Sequence, residues 1–235
     1  MQRAKTALVT GGNKGIGLEV TRQLILLGYR VFVVARSFNS CELLNSKNVI
    51  KKSFDLTNVE LIPELVSELG EMDVLVNNAG VMHSIPFDNY PQDKLNEILK
   101  LNIEAPVALI REVSKSMVKM GSGRIVNNAS IAGEIGHPDI WYGITKAGLI
   151  NATKSFAKIL GPKGIVINTV APGPVETDML NIIPEERKNA IKNTVYSGRF
   201  AKPKEVAKAI VWLATECPEY INGTCIDINN GAYPR

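Results

Sequence analysis

Short apolar runs rich in β-branched residues alternate with longer amphipathic stretches along the whole of this 235-residue chain. The runs Ala7–Thr10, Val31–Ala35, Val49–Ser53, Val74–Asn77, Arg124–Asn128, Ile165–Val170 and Cys225–Ile228 read as strands. Between them, Ile16–Leu27, Val59–Leu69, Gln92–Lys119, Tyr142–Leu160 and Pro203–Ala214 carry apolar residues at helical spacing. Strands that are apolar on both faces and separated by helices belong in a parallel sheet covered on both sides. An α/β fold follows: a doubly wound sheet of about seven parallel strands, built as a single domain over residues 1–235. Two stretches interrupt the rhythm. Ser37–Asn48 has room for one or two helical turns. Pro172–Lys202 holds Pro172, Gly173, Pro174 and Pro184 and shows no clear strand. Open α/β sheets bind ligands beyond the carboxyl ends of their strands. A segment at 174–202, following the sixth strand, is therefore expected to act as a lid.

Composition narrows the partners. With 27 basic and 23 acidic residues the net charge is only +4 and no run of five or more like charges occurs, so no nucleic-acid partner is expected. Apolar runs such as Ala209–Ala214 fall far short of the ~20 residues needed to span a bilayer, so no membrane partner is expected either. The first residues lead straight into a strand-like segment without an export signal. Cys41, Cys217 and Cys225 match no metal-ligand spacing and read as reduced thiols. A cytoplasmic protein is expected.

The first strand ends in Thr10-Gly11-Gly12-Asn13-Lys14-Gly15-Ile16-Gly17, and a helical pattern begins at once. Glycines there permit a tight turn and a close approach to a pyrophosphate, while the helix N-terminus offers unpaired N–H groups. Strand, glycine turn and helix together predict a Rossmann-like nucleotide site. An NAD site usually places a carboxylate at the end of the second strand, for the ribose hydroxyls. Here Ala35 holds that place, Arg36 follows it, and Lys14 lies in the glycine turn. Two cations and no acid point to a 2′-phosphate, and hence to NADP(H).

Tyr142 and Lys146 are four residues apart, on one face of a predicted helix. A neighbouring ammonium favours the phenolate, so the pair suits proton transfer near neutral pH. Ser130, at the carboxyl end of the fifth strand, is placed to hydrogen-bond a carbonyl oxygen as charge develops on it. His83 and His137 are candidates for substrate contact, as are Trp141 and Ile135 for the pocket wall. Neither histidine has partners at metal-ligand spacing, and no metal is expected. Lys119 and Lys163 are candidates for meeting an acidic carrier protein.

Taken in order, these motifs resemble the short-chain dehydrogenase/reductases over nearly the whole chain. The resemblance includes the turn Thr10–Gly17, Asp55-Leu56, Asn77-Asn78-Ala79-Gly80, Asn102, Ser130, Tyr142-x-x-x-Lys146 and the stretch Asn168–Asp178 with Pro172-Gly173-Pro174. It implies Tyr142 as the general acid in reduction and base in oxidation, with Lys146 tuning it and holding the nicotinamide ribose. It also implies that Ser130 polarises the carbonyl and that Asn102 holds a water relaying protons through Lys146. Asp55 and Leu56 would meet the adenine, Asn78, Ala79 and Gly80 its ribose, and Pro172, Gly173, Val175 and Thr177 the nicotinamide end.

Within the family, Gly198-Arg199-Phe200 through Pro203-x-Glu205-Val206-Ala207 and Tyr220-Ile221-Asn222-Gly223 resemble the 3-oxoacyl-(acyl-carrier-protein) reductases of fatty acid biosynthesis. Asn229-Asn230-Gly231 departs from their usual glycine pair, and the segments between the second and fourth strands are shorter. The implied substrate is a 3-oxoacyl thioester, possibly on acyl carrier protein, with another small ketone, sugar or steroid as the alternative. A redox-sensing NADP-binding regulator is a further alternative, against which the complete Ser130–Tyr142–Lys146–Asn102 set argues. The resemblance also implies a homotetramer joined through the helices at Gln92–Lys119 and Tyr142–Leu160.

Overall fold

A computed structural model describes residues 3–38 and 45–234. Seven strands form one sheet: β1 (Thr6–Thr10), β2 (Arg30–Ala35), β3 (Val49–Ser53), β4 (Val74–Asn77), β5 (Gly123–Asn128), β6 (Ile165–Pro172) and β7 (Cys225–Ile228). Their order is β3-β2-β1-β4-β5-β6-β7 and every pairing is parallel. The order reverses between β1 and β4, and the crevice at such a switch point is where doubly wound sheets bind ligands. The helices are α1 (Gly15–Leu26), α2 (Ile62–Leu69), α3 (Gln92–Leu99), α4 (Ala105–Met120), α5 (Ile140–Leu160), α6 (Glu185–Thr194) and α7 (Pro203–Thr215).

Alternation along the strands divides the core in two. Ala7, Val9, Val31 and Val33 point to one face, against Val20 and Leu24 of α1 and Val206 and Ile210 of α7. Leu8, Phe32, Val34 and Leu75 point to the other, against Ile62 and Leu65 of α2 and Leu109, Ile110 and Val113 of α4. Two-sided burial is why these strands read as continuous apolar runs.

The elements expected from periodicity are present, with informative differences. The predicted helix Gln92–Lys119 is α3 and α4 joined by a π-turn at Lys100–Glu104, which carries the buried Asn102. Val59–Leu69 starts as a short 3-10 turn before α2. Within the irregular stretch after β6, the structure contains a 3-10 turn at Asp178–Ile182 and the helix α6. That helix is polar apart from Ala190 and Ile191 and buries no side chain fully, so it lacks the periodic apolar signal. Its start was nevertheless legible in Pro184 followed by Glu185 and Glu186, since acidic residues favour a helix N-terminus. Of the stretch Ser37–Asn48, the central residues 39–44, with Cys41, lie outside the described residues. No described helix is long and apolar enough to cross a membrane.

Candidate active site

Helix α5 positions the chemistry. It begins at Asp139, whose Oδ1 accepts the Tyr142 N–H at 3.1 Å, a side-chain N-cap. Oδ2 of Asp139 accepts the N–H groups of His83 (3.2 Å) and Ser84 (2.8 Å). One buried carboxylate thus joins the start of α5 to the loop after β4. Beyond the cap, Tyr142, Thr145, Lys146, Leu149, Ile150, Thr153 and, near the far end, Leu160 are the buried positions. Their 3–4 spacing turns Tyr142 and Lys146 together into the interior.

Tyr142 is 7% exposed and Lys146 5%. The Lys146 ammonium donates to the Asn128 carbonyl at 2.9 Å and lies 5.6 Å from the Tyr142 ring centre. Burial pushes the Lys146 pKa down to about 8. Tyr142 departs from the expectation that its neighbour would acidify it. Burial raises its pKa, a hydrogen bond with the Ser130 side chain opposes that, and the Asp139 charge adds to the rise. The phenol is held as an acid. Ser130 has extended backbone (φ −172) and its Oγ also accepts the Ala132 N–H at 3.1 Å, which fixes the hydroxyl at the end of β5.

Behind this pair lies a second set of polar contacts. The Asn102 Oδ1 accepts the Val81 N–H at 2.9 Å, while its Nδ2 donates to the Val81 carbonyl (2.9 Å) and the Thr145 hydroxyl (3.1 Å). A Cβ added to Gly80 would sit 3.2 Å from Asn102 Oδ1 and 3.5 Å from Lys146 Nζ, so the three residues meet at one point. Asn78 Nδ2 donates to the Thr10 carbonyl (3.0 Å), and Thr10 Oγ1 accepts the N–H groups of Asn78 (2.9 Å) and Ala79 (3.0 Å). The first and fourth strand ends are therefore one unit at the switch point.

Residues 5–188 match the family profile described as short chain dehydrogenase. The chain belongs to this family. It is 33% identical to the 3-oxoacyl-[acyl-carrier-protein] reductase FabG of Haemophilus influenzae, over 98% of this chain and 99% of that one. The FabG of Aquifex aeolicus is likewise 33% identical, covering 98% of both. Among solved structures, ElxO with NADP bound has a TM-score of 0.89 and 32% identity, over 98% of this chain and 99% of its own. A Beutenbergia cavernae protein provisionally assigned as an NAD(P)-dependent gluconate 5-dehydrogenase, with NADP at low occupancy, has a TM-score of 0.93 and 28% identity, over 97% and 96%.

In this short-chain dehydrogenase a cavity of about 1110 Å³ runs along the carboxyl ends of the strands. It is lined by Gly11, Asn13, Lys14, Gly15 and Ile16 at one end and by Ser130, Ile135, His137, Tyr142 and Lys146 towards the other. Arg36, Asp55, Leu56, Asn78, Ala79, Gly80, Pro172, Gly173, Val175 and Thr177 also line it. The lining fits a dinucleotide. Helix α1 starts at Lys14 with no side-chain cap and no acid in its first turn, leaving N–H groups for an anion. Gly17 lies just beneath: a Cβ there would come within 2.2 Å of the Gly11 carbonyl oxygen, so the turn admits only glycine. Lys14 and Arg36 both reach the cavity, but each leans on its own carboxylate: Lys14 on Asp178 at 2.8 Å, Arg36 on Glu97 at 4.0 Å.

Two expected substrate contacts are elsewhere. His83 does not line the cavity: its Nε2 is 3.4 Å from Glu97 and its ring is edge-on to Tyr90. Asp139 draws the backbone at 83–84 towards α5, which turns the side chain away from the cavity. Trp141 packs on the outer side of the Met82–Ile98–Tyr142 cluster, because it precedes Tyr142 on the helix and so faces about 100° away. The missed residues include Asp139 and a wall of Met82, Met179, Leu180, Ile183, Arg187 and Ile191. Asp139 had a signal: an aspartate three residues before the tyrosine at a helix start is an N-cap pattern. The wall residues carry no motif.

Proposed function

We propose that this protein is an NADP(H)-dependent carbonyl reductase in which Tyr142 protonates the oxygen of a ketone while a hydride adds to its carbon. The observation that carries this is the buried phenol, backed by Lys146 and lining with Ser130 one cavity that begins in a glycine turn. NADPH, when bound, supplies the hydride. Ser130 orients the carbonyl oxygen against the phenol. Tyr142, kept protonated by burial, delivers its proton to that oxygen. Lys146, with a pKa of about 8, holds or yields a proton near neutrality and resupplies the phenol. Asn102 holds the Val81 loop and the relay behind Lys146. Arg36, assisted by Lys14, takes the 2′-phosphate, and the α1 N-terminus takes the pyrophosphate.

Full-length identity of 33% to FabG proteins supports a 3-oxoacyl thioester as substrate, possibly presented on acyl carrier protein. The neighbour assigned to gluconate oxidation supports a keto-sugar as the second reading. We place the protein in the cytoplasm, as one catalytic domain with residues 174–202 as its lid. It assembles as a homotetramer: Ile140, Ile144 and Ile159 are exposed along α5, an apolar face suited to pairing with a second copy. The deciding experiment offers NADPH with an acetoacetyl thioester, a diketone, a steroid and a keto-sugar, following loss of NADPH absorbance. Highest kcat/KM for the thioester is expected. A tenfold advantage for the keto-sugar selects the second reading, and no turnover of any ketone with NADPH defeats the reductase reading.

A further inference from the structure

Four cations line the cavity, and three of them are engaged: Lys14 by Asp178, Arg36 by Glu97 and Lys146 by the Asn128 carbonyl. Arg187, the third residue of α6, is the exception. It lines the cavity half-buried, and among the described residues it has no carboxylate or carbonyl partner. Met179, Leu180 and Ile183, just before it in the chain, line the same cavity. Its charge reaches His137, whose pKa is lowered first by burial and also by the Arg187 cation. The His137 ring in turn stands 5.3 Å from the ring of Tyr142, tilted by 58°. Arg187, His137 and Tyr142 thus line one and the same cavity.

We infer that Arg187 is an anion-recognition residue and that the ketone this enzyme reduces carries a carboxylate or phosphate. The inference rests on the reductase reading above and names its substrate class. A guanidinium among apolar side chains is poorly hydrated and gains most from a planar, bidentate anion. Placed on α6, it would draw that segment onto the substrate, so recognition and closure become one event. The neutral His137 beside it offers a polar contact without a competing charge. The same chemistry is available from a carboxylate on the substrate skeleton or from the phosphate of a phosphopantetheinyl arm.

The test compares charged and neutral forms of the same ketone with NADPH. One arm uses acetoacetate and levulinate against their methyl esters. The other uses acetoacetyl-coenzyme A against the acetoacetyl thioester of N-acetylcysteamine. The parent enzyme should favour the anion at least tenfold in kcat/KM in one arm, and the arm that does so identifies carboxylate or phosphate. Arg187→Gln should cut that preference at least tenfold, mainly through KM, and Arg187→Glu should reverse it. No preference in the parent, or a preference that survives both substitutions, overturns the inference. If the parent reduces none of these ketones, and none of the diketone, steroid and keto-sugar panel either, the reductase reading has failed instead. Titrating acetoacetate and its ester into the NADPH complex by cofactor fluorescence then decides for Arg187, and equal affinities in parent and variants overturn it.

Discussion

The floor of the cavity, made by the ends of β4 and β5 with α5, is held by buried polar side chains, whereas its roof is tied down mainly near its two ends, by Asp178 to Lys14 and by Tyr196 and Ser197 to Asn230. In the floor, Asn77 donates to Asn127 at 2.8 Å, Asn127 to Thr153 at 2.9 Å, and Thr153 meets Thr169, all of them buried. The roof, residues 176–200, is closed at its root by the pairing of Val175 with Ala201. Beyond that root Val195 and Phe200 are buried, but no side chain of α6 is. Proton transfer needs its atoms fixed to within fractions of an ångström, which a chain of buried, hydrogen-bonded side chains provides. Substrate and cofactor must enter and leave, which a segment with little buried surface allows. We propose that the molecule separates these tasks: reactivity in the floor, access and selection in the roof.

Changes in the floor should have the largest effects. Tyr142→Phe removes only an oxygen and should leave NADPH binding and melting temperature near those of the parent. It should cost about 100-fold or more in kcat, the lower range of general acid catalysis. Retained turnover within a few-fold would show that the floor does not house the proton donor.

The direction of the Tyr142 shift makes a second prediction. Reduction uses the protonated phenol, which a raised pKa keeps available through neutral pH. Oxidation of the alcohol uses the phenolate, whose fraction rises about tenfold per pH unit below the pKa. The kcat/KM for oxidation should therefore climb from pH 6 to 9 while that for reduction stays flatter or falls. An oxidation rate independent of pH would contradict the assignment.

Arg36→Asp concerns the far end of the floor. It should narrow or reverse a preference of about tenfold or more for NADPH over NADH, by exchanging a cation for an acceptor of ribose hydroxyls. Equal efficiency with both cofactors in the parent would refute the 2′-phosphate reading.

The smallest effect is expected in the roof. Trypsin should cut near Arg187, Lys188 or Lys192 several-fold more slowly with NADP(H) than without it. Equal rates would mean that the roof is as fixed as the floor, and the contrast would disappear.

How much of this was legible follows the same division. The glycine turn, the Tyr142–Lys146 spacing and Ser130 could be read because each rests on local geometry: a forced close approach, one helical turn, one strand end. Asp139 contacts Ser84, 55 positions away, and no local pattern announces such a pairing. The direction of the Tyr142 shift was misjudged because spacing shows a neighbouring lysine but not the depth of burial. Asn230 shows the opposite case. It stands where the acyl reductases usually carry glycine, in left-handed backbone (φ 49), a conformation that asparagine tolerates better than most residues.

The π-turn at Lys100–Glu104 has a further consequence. A helix advances about 100° per residue, and a π-turn holds one residue more than the regular winding would. It therefore acts as a phase shifter between two apolar stripes. Before it, Ile98 faces Met82 and Tyr142; after it, Leu109, Ile110, Val113 and Met117 face the sheet. Deleting one residue between 100 and 104 would restore regular winding and rotate one stripe away from its partner. The local fault in the helix is thus protected by the two stripes it keeps in step, and Asn102 is held inside it.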